Sequence, residues 1–117
     1  MPEAERFARL RLARTDRIGP VTFSQLLKRF GSAEQAIRAL PDLAKRHGRS
    51  AYTVPPLSLI EDEIAAGDRI GARLIVLGDA DYPTSLTTID PPPPLLWTRG
   101  DVSLLSRDSV AIVGARI

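Results

Sequence analysis

The sequence contains no cysteine and only one tryptophan, one methionine and one histidine in 117 residues. Without cysteine there is no disulfide framework and no thiolate metal site, which fits a reducing compartment. His47 has no second imidazole or thiolate near it in sequence, so it gains no metal or acid–base role. It is expected at an exposed helix end, where a cation suits the dipole. No apolar run approaches the roughly 18 residues needed to span a bilayer. The start, Met1 to Arg6, carries acids where a signal peptide would have an apolar core. These absences point to a cytoplasmic protein without a membrane span, a disulfide scaffold or a bound metal.

What is present is ordinary in amount and uneven in distribution. Hydrophobic residues make up 44% and charged residues 26%, typical of a soluble globular chain. The length is enough for one domain, or for a small domain and part of another. The net charge of +2 conceals an asymmetry. Residues 1–50 hold 11 Lys/Arg against 5 Asp/Glu, and residues 51–117 hold 5 against 9. A basic first half is necessary for phosphate contact and far from sufficient, because much of it can be solvated helix surface.

Residues 3–15 read as an amphipathic helix, with Phe7, Ala8, Leu10 and Leu12 apolar and Arg6, Arg9, Arg11 and Arg14 on the polar side. Asp16 to Pro20 breaks it with a glycine–proline turn. Thr22–Gln25 has capping-box spacing, with Val21 and Leu26 placed as a hydrophobic staple, and Gly31 is positioned to end that helix. Ser32–Gln35 repeats the pattern and opens a third helix through Leu40. Pro41 is expected to open a short fourth helix running towards Gly48. Tyr52 to Pro56 reads as an extended linker. A third capping-box match, Ser58–Glu61, begins a helix that Gly67 and Gly71 weaken at its end.

At Ala72 the apolar period changes. Residues 73–77 and 95–100 are strand candidates, and the prolines at 83 and 91–94 mark rigid connectors. Residues 101–108 form a short connection. Val110 to Val113 is a continuous apolar run, expected as a strand buried on both faces of a parallel sheet. It leads into Gly114 and Arg116, where a close backbone approach and a guanidinium fork could hold a phosphate. A helix should follow to cover the sheet, so the sequence is expected to be the front part of a larger protein. Trp97, between Leu96 and Thr98, is expected to be core or interdomain packing, because large aromatics beside apolar neighbours are usually buried.

The order of these pieces is specific. Tyr82-Pro83, Leu86, Ile89-Asp-Pro-Pro92, Leu95 to Gly100 and Val110-Ala-Ile-Val-Gly-Ala-Arg116 closely resemble the DNA-processing protein A family (DprA, also called Smf). Ile18-Gly19-Pro20 and Phe30-Gly31-Ser32 look like that family's helical front domain. The resemblance implies an α+β fold. A small all-α domain, sterile-alpha-motif-like and related to helix-hairpin-helix modules, would cover 1–70. The first strands of an extended Rossmann-like α/β domain, truncated here, would cover 71–117. It also implies no enzyme activity and no cofactor; no glycine-rich dinucleotide fingerprint is present. The implied partner is single-stranded DNA, protected during natural transformation and handed to the RecA recombinase by a homodimer. The family's phosphate ligand maps onto Arg116, with Gly114 as the close-approach residue.

Two other functions compete with this one. A nucleotide-handling Rossmann-like hydrolase would need a catalytic carboxylate, whereas Asp79, Asp81, Asp90, Asp101 and Asp108 sit in turn-forming contexts. A protein–protein adaptor would have no DNA contact and no salt-dependent DNA affinity.

Overall fold

The computed structural model describes residues 1–99 and the strand residues 112–113. Along the chain run helices α1 (Glu3–Ala13), α2 (Pro20–Phe30), α3 (Ala33–Arg46) and α4 (Leu57–Arg69). Strand β1 (Ala72–Val76), a single turn α5 (Thr84–Thr87), β2 (Leu95–Arg99) and β3 (Ile112–Val113) follow.

Helix α1 is the centre of this arrangement because it is apolar on two sides. Ala8 and Leu12, one turn apart, join Ile18, Phe23, Leu26, Ala36, Leu40 and Leu43 in a core shared with α2 and α3. Leu10 belongs to a second core with Ile60 of α4 and with Leu74, Val76, Leu95 and Trp97 of the sheet. Helix α1 thus contributes buried side chains both to the α2–α3 core and, with α4, to the core under the sheet.

The helix boundaries depart from expectation at three places, two capping boxes and the proline at 41. Helix α2 begins at Pro20, with Gly19 as an N-cap that makes no side-chain bond, so Thr22 lies inside it. Proline at the first helical position brings its φ already set and loses no needed N–H. Helix α3 does not stop at Pro41 to make way for another helix; it continues to Arg46. Pro41 lies on the exposed side, where water can take the carbonyl that its missing N–H leaves free. Helix α4 starts at Leu57 behind Pro56, which places Ser58 and Glu61 inside it. The Ser32 box holds: its Oγ accepts from the Gln35 N–H at 3.2 Å. The end of α3 is a Schellman turn. The N–H of Arg49 bonds Ala44 O at 2.9 Å and that of Gly48 bonds Lys45 O at 3.2 Å, with Gly48 at φ 62°. His47 is exposed at this helix end, as expected.

β1 and β2 pair antiparallel, Leu74 opposite Trp97 and Val76 opposite Leu95. β2 also pairs antiparallel with β3, Trp97 opposite Val113, giving the order β1-β2-β3. All pairings among the described residues are antiparallel, which corrects the expectation of a parallel sheet for the run ending at Val113. A continuous apolar run reports burial on both faces, not direction. β1 and β2 obtain that burial here: 72, 74, 76, 95 and 97 pack on the helical side, while Ile75 and Leu96 pack on Tyr82, which α5's Leu86 joins. The Tyr82 hydroxyl donates to Pro93 O at 2.8 Å, fastening the proline connector over that second face.

Candidate nucleic-acid interface

The cations of the first half divide into two groups. The first five, from Arg6 to Arg17, are fasteners. The Arg6 guanidinium donates to Leu74 O at 2.7 Å and to both oxygens of Asp79, at 3.1 and 3.3 Å for Nε. Asp79 in turn accepts from the Val76 N–H at 2.9 Å. Arg9 bonds Glu5 at 2.9 Å and Leu77 O. Arg11 donates to Pro55 O at 2.7 Å, and Arg14 grips Glu63 at 3.0 and 2.8 Å. Arg17 donates to Ser50 O and Ala51 O and lies over the Tyr52 ring at 4.6 Å. These side chains reach from α1 and its following turn to the 50–55 connection, to α4 and to β1 with the turn after it.

Three carboxylates complete the fasteners. Glu5 is buried and accepts from the N–H of Ala33 at 2.7 Å and of Glu34 at 3.3 Å. It thereby caps α3 from a different helix, beside Ser32. Burial pushes Glu5 up, but the Ala33 N–H, Arg9 and the Glu34 N–H together hold it below its ordinary 4.5. Glu63 is likewise raised by burial and lowered further by Arg14 and the Trp97 N–H. Asp79 follows the same balance with Arg6 and the Val76 N–H. A carboxylate with a depressed folded pKa stabilises fully above its unfolded value and loses that stabilisation as pH falls through the folded one. The fold should therefore lose stability below about pH 4.5, continuing downward. A melting series from pH 6 to pH 3 checks this, and Glu5→Gln should flatten the acid limb.

The remaining cations of this half, Lys28, Arg29, Arg38, Lys45, Arg46 and Arg49, are all exposed. None of them forms an ion pair among the described residues. Lys45, Arg46 and Arg49 gather at the Schellman end of α3. Arg17 brings the start of the α2 hairpin to the same place through Ser50 and Ala51, and Thr53 N–H donates to Asp16 at 2.7 Å beside it. At that end α2 begins at Pro20 after the N-cap Gly19, and its first helical bond is Phe23 N–H to Gly19 O at 2.8 Å. The first turn of α2, which carries the positive end of that helix's dipole, begins three residues after Arg17. Lys45, Arg46 and Arg49 give this end of α3 a local excess of positive charge.

Two matches to known families cover the chain. Residues 3–66, from α1 into α4, match the DprA-like N-terminal HHH domain. Residues 73–117, starting in β1, match DNA recombination-mediator protein A. The chain belongs to the DprA family. Membership supports a role in DNA processing, and the fold is a mostly helical HHH-like domain followed by a short antiparallel sheet. No curated protein matches it significantly.

The residues singled out for chemistry fall in different places. Gly114 and Arg116 lie outside the described residues, as do Asp101 and Asp108. Asp79 and Asp81 line a polar cavity of about 560 Å³ between α1, α4 and β1, and each is paired, with Arg6 and Arg73 respectively. Trp97 is buried, as expected, and its indole N–H donates to Glu63 at 2.8 Å. Among the described residues no group of three or more acids or histidines could hold a metal ion, and no helix is long and apolar enough to cross a membrane. Sequence reasoning missed Glu5, whose role depends on a helix 28 residues away, and Gly67, which looked like a helix weakener.

Proposed function

We propose that this protein is a recombination mediator that binds single-stranded DNA through phosphates, protects it and helps load RecA during natural transformation. It acts without catalysis, as a cytoplasmic homodimer. The helical domain spans 1–70, and 71–117 opens an extended Rossmann-like domain. Gly114 lets the backbone approach a phosphate and Arg116 holds it. The observation that carries this reading is the division of cations in a chain of the DprA family. Structural arginines are tied to carbonyls and carboxylates, while Lys45, Arg46 and Arg49 at the end of α3 have no acid partner among the described residues.

The test is a titration of labelled oligo-dT against the intact protein over a range of salt concentrations. Arg116→Ala should cost on the order of 1–3 kcal/mol on every single strand, whatever its bases. The salt slope should become shallower by about 0.7, the value of one contact on a single strand. Arg116→Lys should recover only part of the loss, because a point charge cannot reproduce the fork. Unchanged affinity and slope would remove Arg116 from the site. If the intact protein shows no salt-dependent affinity at all, the adaptor reading takes its place.

A further inference from the structure

The end of α3 is a firm base for exposed cations. Leu43 belongs to the helical core and Ala44 is buried, and the Arg49 N–H bonds Ala44 O at 2.9 Å, folding the chain back over the helix end. Residues 45–50 are all exposed. The side chains of Lys45, Arg46 and Arg49 have no partner among the described residues. Two acids lie close to them. Asp42, one turn before Lys45 and Arg46, is exposed and pairs with neither, and Asp16 accepts from the Thr53 N–H and pairs with Arg17.

A fourth cation comes to this corner from the turn between α1 and α2. Arg17 is the one non-glycine residue with a positive φ, 64°, among the described residues. An arginine seldom holds that conformation. Its Nη2 donates to Ser50 O at 3.0 Å and Ala51 O at 2.9 Å, the two residues after Arg49, while the guanidinium lies over Tyr52. Its Nε faces Asp16, and its Nη1 makes no hydrogen bond among the described residues. The dipole of α3 accounts for cations in its last turn, Lys45 and Arg46. It does not account for Arg49, which lies past that turn, or for Arg17. Three of the four are guanidiniums, whose planar fork matches phosphate oxygens.

We infer that Lys45, Arg46, Arg49 and the free edge of Arg17 form a phosphate-contacting surface of the helical domain. It holds the DNA backbone separately from the contact assigned to Arg116. This rests on the proposed reading of the chain as a DNA binder. Contact to phosphates positions the strand without reading its bases, and each neutralised phosphate adds to the salt dependence of binding.

The experiment compares two charge-matched triple variants of the intact protein, read by anisotropy of labelled oligo-dT over a range of salt concentrations. Lys45→Gln with Arg46→Gln and Arg49→Gln should weaken binding on the order of 10-fold and make the salt slope shallower by about 2, three single-strand contacts. Arg17 is left in place because it ties down residues 50 and 51. Lys28→Gln with Arg29→Gln and Arg38→Gln removes the same charge from the other end of α3 and from its side, and should change affinity less than about 2-fold. Arg49→Gln alone spares the last helical turn and should lower the slope by about 0.7; it carries the test if the first triple variant melts early. Equal losses in the two triple variants overturn the surface, because net charge alone then sets the affinity. Unaltered affinity and slope in the first triple variant, beside a weakened Arg116→Ala, overturn it too and leave the DNA reading standing. If the first triple variant has no effect in the Arg116→Ala background, the contact is not a separate one and the inference falls. A parent protein without salt-dependent affinity removes both readings.

Discussion

Replacing Leu10 by alanine should destabilise the protein by about 2–5 kcal/mol, the usual range for a fully buried leucine. Leu10 has no exposed surface and is α1's member of the core shared with the sheet. At roughly 4 °C per kcal/mol for a chain of this size, the melting temperature should fall on the order of 10 °C. The spectroscopic readout matters as much as the size. Trp97 sits in the same core, so its fluorescence and the far-UV helical signal should move to lower temperature together. If the fluorescence transition moves and the helical one stays, the two parts unfold independently and Leu10 couples nothing. Leu12→Ala is the companion measurement, since Leu12 is equally buried but belongs to the helical core.

The second large effect is expected at Glu5. Glu5→Ala leaves the N–H groups of Ala33 and Glu34 without their acceptor and frees Arg9 from its ion pair. A buried donor left unpaired costs about 1–3 kcal/mol, so a total of roughly 2–4 kcal/mol is expected where water reaches the Glu34 N–H. Glu5→Gln keeps an acceptor oxygen near both donors and should lose about half as much. Denaturant unfolding of both variants beside the parent checks the order. Hydrogen exchange should accelerate first at Ala33 and Glu34. If Glu5→Ala unfolds at the parent's midpoint, the carboxylate is not the cap of α3.

These two residues also show what could be read in the sequence and what could not. The apolar character of Leu10 was visible, as were the helices on either side of Gly31, because 3.6-residue periodicity and capping chemistry are local. Its partner was not visible. Phe7, grouped with it by spacing, is only half-buried and borders open cavities. The arginines of α1 looked like a solvated face because carbonyl acceptors leave no mark in a sequence. Pro41 misled because a proline on an exposed side interrupts one hydrogen bond without ending a helix. Strand direction was out of reach, since double-sided burial gives the same apolar run in either orientation. The proposed phosphate contact rests on a motif that follows an apolar run, and its Gly114 and Arg116 lie outside the residues described.

The hold of Arg6 and Asp79 on β1 has a bearing on assembly. Leu77 N–H bonds Pro94 O towards β2, so by alternation Leu74 and Val76 direct their backbone groups outward from the sheet. An outermost strand with open N–H and C=O groups is a template on which another chain can add. Here the outward carbonyl of Leu74 is taken by Arg6 and the outward N–H of Val76 by Asp79. A foreign strand arriving at β1 would have to displace a guanidinium and a carboxylate that are already paired with each other. Among the described residues, that edge of the sheet is therefore blunted at Leu74 O and Val76 N–H.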